Sequence, residues 1–281
     1  MKNEIIVDSP LLDIYPESWR QTLGVGQNKL KVLQYRNLQH FKNHVSVLTQ
    51  KEDDKCGVTY AVALKEMRKN VPVITAGNYE IIKNKVKQSL IKRSLISDTV
   101  YEGYEYTANG TGVIDVAKYL AQDPECILTP KKAYTNYFYE LYISISYNYT
   151  VPNSTITNNM AKILATIELL EKEHYYCKIT LIFPDKDVTY SDDDKRNLLI
   201  LIPLFSHRDH KSIETMSAVL NDRLLRKFCF AILEDTYKSN LSSGYGTPVH
   251  LEQTINVGYE IDEIDLAEQI LSKVITPCQT R

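Results

Sequence analysis

Lys131, Lys132, Tyr134, Tyr137, Phe138, Tyr139, Tyr142, Tyr147 and Tyr149 lie within nineteen residues of one another. Cations interleaved with rings are what single-stranded nucleic acid needs. Cations follow the phosphates, and ring faces stack on bases, each stack worth about 1–3 kcal/mol whatever the base. A second cationic source is the segment 79–94, with Lys83, Lys85, Lys87, Lys92 and Arg93; each phosphate contact made there would weaken with salt. Lys131, Lys132, Tyr134, Tyr137, Tyr139 and these five cations are the candidate nucleic-acid-binding residues. The competing account is structural. Tyrosines commonly line a strand, half-buried with their hydroxyls in water.

Other chemistry is thinner. His207-Arg208-Asp209-His210 follows an apolar run at 197–205, and the carboxyl end of a strand is where α/β ligand sites sit. No third ligand can be named, and a solvated loop explains the segment as well. Asp192-Asp193-Asp194 reads as an acidic turn. A von Willebrand A-type metal site needs Asp-x-Ser-x-Ser after a strand. Here Ser146-Tyr147-Asn148-Tyr149-Thr150 stands in that place without the leading Asp, so most of the charge that holds a hard cation is missing. There is no Gly-x-x-x-x-Gly-Lys-Ser/Thr loop, no full Gly-x-Gly-x-x-Gly and no Gly-x-Ser-x-Gly elbow. The reading is therefore of a non-enzyme with no cofactor and no metal.

The elements that must position these residues follow from periodicity. Pro16-Glu17-Ser18-Trp19 reads as a turn into a helix, and residues 27–50 show no clean period. Thr59–Asn70 is an amphipathic helix, and Tyr79–Ser94 another, capped by Asn78, with Ile81, Ile82, Val86, Leu90 and Ile91 at helical spacing. Tyr101–Tyr106 alternates like an edge strand. Asp115–Ala121 is a short helix with Val116, Tyr119 and Leu120 on one side, and 110–130 reads as a linker.

In the back half, Leu141, Ile143 and Ile145 alternate with Tyr142, Ser144 and Ser146, a strand of period two. Thr157–Lys172 is a strong helix. Cys177–Phe183 is a buried strand closed by Pro184, residues 185–196 a charged loop, and 197–205 a second buried strand. Helices are expected at 212–220 and 261–275, and 223–236 reads as a second helix or a helix-strand pair. Near-continuous apolar strands imply a sheet covered on both faces. The expected fold is α/β, with a helical, basic segment over 1–110 and a three-layer, von Willebrand A/Rossmann-like α/β domain over 111–281.

Composition sets the outer bounds. The 281 residues are 43% hydrophobic and 24% charged, with net charge −2, ordinary for a globular chain and too acidic for a strong duplex binder. The charge is uneven: residues 1–100 carry 16 Lys+Arg against 10 Asp+Glu, and residues 101–281 carry 17 against 25. That asymmetry suggests two surfaces with different partners. The five cysteines form no Cys-x-x-Cys pair, which points to a reducing, cytoplasmic setting. No apolar run reaches the roughly 20 residues of a membrane span, and charge interrupts the start too early for a signal peptide.

One segment carries a resemblance. Gly112-Val113-Ile114-Asp115-Val116-Ala117-Lys118-Tyr119-Leu120-Ala121-Gln122-Asp123-Pro124-Glu125-Cys126 resembles the Gly-x-x-x-Asp-Val-x-x-Tyr-Leu-x-x-x-Pro-Glu-Cys segment of a phage and prophage protein family of unknown function. The back half looks like a degenerate von Willebrand A sheet without its metal motif. The resemblance implies a viral origin and the host cytoplasm, and it assigns no catalytic residue. With the Lys/Tyr stretch, it makes the expected function that of a phage accessory protein binding single-stranded DNA. A phage protein partner such as an RNA polymerase would meet the acidic back half. The alternatives are a protein-only adaptor or structural component, and a metal-dependent binder or hydrolase using His207, Asp209 and His210.

Overall fold

The structure is a computed structural model that describes residues 16–23, 29–48, 59–69, 74–96, 104–108, 113–130, 137–148, 150–191, 194–211, 221–237 and 249–272. The expected helix at 212–220 lies outside them. In chain order the elements are α1 (Glu17–Thr22), β1 (Lys29–Gln34), α2 (Leu38–Val45), α3 (Tyr60–Lys69), α4 (Ala76–Lys92), β2 (Tyr104–Thr107), β3 (Val113–Ile114) and α5 (Val116–Leu120). There follow β4 (Ile127–Pro130), β5 (Tyr137–Ser144), α6 (Asn153–Lys172), β6 (Tyr175–Ser191), β7 (Asp194–Phe205), α7 (Asp222–Tyr237), β8 (Thr254–Asn256) and α8 (Glu263–Ser272). The α/β class read from periodicity is the class observed.

Five strands form the main sheet in the order β1-β7-β6-β5-β8, all pairs parallel except the central β6/β7 hairpin. Alternation sorts the side chains onto two faces. Leu33, Tyr139, Leu141, Ile143, Ile179, Leu181, Phe183, Leu198, Ile200 and Ile202 face one way, into a core with buried residues of α2, α3, α4, α6, α7 and α8. Val32, Ile182, Leu199 and Leu201 face the other way, where Trp19 and Leu23 of the α1 region and Val249 and Leu251 cover them. The three layers are thus unequal among the described residues. Six helices lie on one face; one short helix and an extended segment lie on the other. Trp19, the sole tryptophan, pins that thin layer by donating from Nε1 to the Glu252 carbonyl at 2.7 Å and setting its edge against Tyr142.

The central helix α6 is buried nearly all round, through Ile156, Met160, Ile163, Leu164, Ile167 and Leu170 among others. Each such side chain is worth about 1.5–3 kcal/mol of burial. It packs on β6 on one side and on α4 and α8 on the other. α4 begins earlier than Asn78: Thr75 is the cap, accepting the Asn78 N–H at 3.3 Å.

Two expectations change. Residues 185–191 and 194–196 are not a loop, because β6 continues through Pro184 to Ser191 and β7 starts at Asp194, with register shifts along the way. Pro184 is tolerated because β5 pairs with β6 only as far as Ile182, so the strand has already lost one neighbour. Pro203 likewise lies beyond the reach of β1, whose pairing with β7 ends at Leu201. Second, β1 joins the main sheet and α4 packs on α6, so elements from both sides of residue 110 share one sheet and one core. No helix among the described residues is long and apolar enough to cross a membrane.

Residues 113–130 are not a plain linker. β2, β4 and β3 form a second, three-stranded antiparallel sheet, with α5 between β3 and β4.

Candidate nucleic-acid interface

The parallel register of β5 on β6 places Tyr137 beside Tyr175, Phe138 beside Tyr176, Tyr139 beside Cys177 and Glu140 beside Lys178. Paired positions on neighbouring strands point to the same side, so the rings meet as ladders. Tyr137 stacks on Tyr175 with centroids 4.9 Å apart and planes at 14°. On the opposite face Phe138 stacks on Tyr176 at 5.9 Å and 30°. Because β7 runs antiparallel, its carboxyl end arrives at the amino ends of β5 and β6. His207 then sets its edge on Phe138 at 5.3 Å, with Nε2 3.1 Å from the Tyr139 carbonyl oxygen, the geometry of an Nε2–H donor. His174, at the tight α6–β6 turn with φ of 66°, packs its edge on Tyr176. Phe138 keeps 46% of its surface in solvent, and Arg208 and His210, in the turn that follows His207, are exposed.

The charge on this face is mostly paired. Lys178 donates to Glu140 Oε1 at 2.7 Å, and the Tyr142 hydroxyl donates to Glu140 Oε2 at 2.9 Å. Partial burial raises the Glu140 pKa, but the bonds from Lys178 and Tyr142 outweigh it and hold the carboxyl below its usual range.

The residues singled out from the sequence are dispersed. Tyr139 is buried at 4% exposure on the helical face of the sheet and offers no ring to solvent. Its hydroxyl has no hydrogen-bond partner; burial first, and then the neighbouring Cys177 thiol, raises its pKa far above the ordinary value. Tyr137 is half-buried and spends one ring face on Tyr175. Lys131, Lys132 and Tyr134 lie outside the described residues. On α4, Lys83 is ion-paired with Glu168, which also accepts the Tyr79 hydroxyl at 3.1 Å. Lys87 is half-buried, while Lys85, Lys92 and Arg93 are exposed. Lys85 and Lys92, seven apart, share one side of the helix, and Lys83 and Lys87 lie on another. The five cations therefore do not form one stripe. The exposed ring that periodicity could have found is Phe138: it is out of phase with Leu141, Ile143 and Ile145, whereas Tyr139 is in phase with them.

Behind the platform lies a buried ionic pair. Lys211, 3% exposed, is bonded to Glu171 Oε1, and Glu171 also accepts the Cys177 N–H at 3.3 Å. Burial raises the Glu171 pKa against the opposing pull of Lys211 and that N–H. Burial also pushes the Cys177 thiol well up, so it is a packed side chain rather than a nucleophile. His207 is committed to Tyr139, and Asp209 Oδ2 accepts the Ser206 N–H at 2.6 Å; this is loop geometry. Among the described residues no group of three His, Cys, Asp or Glu side chains is placed to hold a metal ion.

The carboxyl ends of β5 and β8, the usual place for an α/β site, are filled from within. Ser144 Oγ accepts the Ser146 N–H, Ser146 Oγ accepts the Val249 N–H, and Asn256 donates to the Ser146 carbonyl at 2.7 Å. Asn159 of α6 donates to the Val257 and Tyr259 carbonyls at 2.9 and 2.8 Å. These buried polar groups fix the 249–260 segment.

Set beside known proteins, residues 17–279 match the family described as Domain of unknown function (DUF7192). The chain belongs to this family. The match takes in both sheets of the DUF7192 chain, from α1 to α8, and spans both sides of residue 110. No curated protein and no solved structure matches it.

Proposed function

We propose that this chain is a non-enzymatic accessory protein that binds single-stranded nucleic acid on the face carrying Phe138, Tyr176 and His207. The observation that carries the reading is the half-exposed Phe138 ring, held rigid by Tyr176 behind it and His207 at its edge. A base can stack on a ring that is already ordered without the entropic cost of fixing it. Arg208, His210, and Lys131 and Lys132 in the preceding segment supply cations for the flanking phosphates. The reading extends to a phage-encoded factor acting in the host cytoplasm with a phage protein partner such as an RNA polymerase. The resemblance of residues 112–126 supports that origin.

The test is fluorescence anisotropy of a labelled oligo-dT against a duplex control, from low to physiological salt. The expected result is preference for the single strand, affinity falling with salt, and a loss of about 5- to 100-fold in Phe138→Ala, the equivalent of one lost stack. Tyr139→Phe should leave binding unchanged. Absence of binding at low salt, or binding indifferent to Phe138→Ala, refutes the reading and leaves a protein-only adaptor.

A further inference from the structure

Glu140 stands two residues after Phe138 on β5, so its side chain leaves the sheet on the same face, and both residues are exposed. Two residues of strand cover about 7 Å. On the side of Phe138 away from Tyr176 no described strand adjoins, because β8 pairs with β5 only from Tyr142 to Ser144. A base stacked on the Phe138 ring from that side can turn one edge along β5 toward Glu140, across the length of a hydrogen bond.

The Glu140 carboxylate is fixed in place and half used. Lys178 donates to Oε1 at 2.7 Å and the Tyr142 hydroxyl to Oε2 at 2.9 Å. An ionised carboxylate accepts at about four positions, two on each oxygen, so each oxygen keeps one. Partial burial pulls the carboxyl pKa up and these two bonds pull it further down, so at neutral pH the group accepts and does not donate. Two acceptors side by side ask for two adjacent donors. Guanine alone among the four bases has them on its pairing edge, N1–H beside the N2 amine. Adenine sets an acceptor nitrogen beside its amine, as does cytosine, and thymine flanks its single N–H with two carbonyls. Each of those acceptors would face the carboxylate with like partial charge. We infer that the Phe138 platform selects guanine, with Phe138 stacking on the base and Glu140 reading its N1–H and N2 amine. The inference rests on the proposed single-strand binding and names the base which that site takes. Lys178 balances the Glu140 charge, so the reading group does not repel the flanking phosphates.

The test is fluorescence anisotropy of a labelled oligo-dT carrying one central dG, dI, dA or dC. A single guanine per strand keeps quadruplexes out. The dG strand should bind more tightly than the dT, dA and dC strands by about 5- to 100-fold, the discrimination of one bidentate base contact. The dI strand, which lacks the N2 amine, should fall most of the way back. Glu140→Gln should abolish the preference, because an amide NH2 then replaces one of the two acceptors. The ratio of affinities is the readout, since removing a surface carboxylate shifts the binding of every strand alike. The Glu140 ion pair is surface-exposed and of small weight in stability, so the variant should keep the parent's circular dichroism. Equal binding of all strands, or a dG preference that survives in Glu140→Gln, overturns the inference, and oligo-dT binding that still depends on Phe138 then leaves the single-strand reading standing. Binding of no strand at low salt overturns both.

Discussion

Tyr139→Phe is the most informative single substitution, because it removes one oxygen from a site the fold does not satisfy. The ring is 4% exposed and belongs to the main core, so Phe keeps the packing. The hydroxyl is buried with only the Cys177 thiol in reach, a poor donor and acceptor. A buried polar group left unmade costs about 1–3 kcal/mol; deleting it should recover part of that, about 1 kcal/mol. For a chain of this size the gain is roughly 2–4 °C in melting temperature. Scanning calorimetry of Tyr139→Phe against the parent measures it, with Tyr139→Ala as the control for lost packing, expected to fall by about 3–5 kcal/mol. A drop in melting temperature in Tyr139→Phe would refute the reasoning, since it would mean that the hydroxyl makes a bond worth more than its desolvation.

Two further stability predictions follow from close approach and buried charge. A Cβ on Gly258 would stand 2.3 Å from the Tyr147 Cβ, so Gly258→Ala should cost about 1–3 kcal/mol through overpacking, read as a lower urea midpoint with an unchanged slope. Lys211→Met leaves the half-buried Glu171 without its cation and should cost about 1–3 kcal/mol; adding Glu171→Gln should restore much of it. The pH profile carries the sign. Glu171 holds its proton more tightly folded than unfolded, so its contribution to stability falls as pH rises from the ordinary 4.5 through the raised folded value, then stays flat. Removing Lys211 should steepen that fall; a profile unchanged in Lys211→Met would show that the pair is not coupled.

What was legible in the sequence was burial, and structure followed wherever burial was periodic. Leu141, Ile143 and Ile145 gave β5 its phase, and the run from Met160 to Leu170 gave α6. β1 was missed because Lys29-Leu30-Lys31-Val32 alternates over only four residues before Leu33 breaks the phase, Val32 and Leu33 being buried on opposite faces. The outer half of the β6/β7 hairpin read as a loop because, beyond Ile182, β6 has left β5 and its residues turn polar. Backbone pairing continues there without an apolar signature. The phase of β5 already separated Phe138 from Tyr139, but a count of aromatic residues ignores phase. Lys83 with Glu168 and Lys211 with Glu171 join residues 85 and 40 positions apart, which no local pattern encodes. α5 was read correctly as amphipathic.

The direction of β7 decides where on the main sheet a surface can be available. In an all-parallel sheet the carboxyl ends would gather the loops and the site with them. Here the carboxyl ends of β5 and β8 are occupied by Ser144, Ser146 and Asn256, bonded to one another and to the 249–260 segment. Opening that end to a ligand would leave several buried polar groups unpaired, at about 1–3 kcal/mol each. The central antiparallel hairpin carries the chain back to the other end, where His207 meets Phe138 and the exposed Arg208 and His210 follow it in sequence. The proposed binding face therefore sits at the amino ends of β5 and β6, where the antiparallel hairpin brings His207 against Phe138.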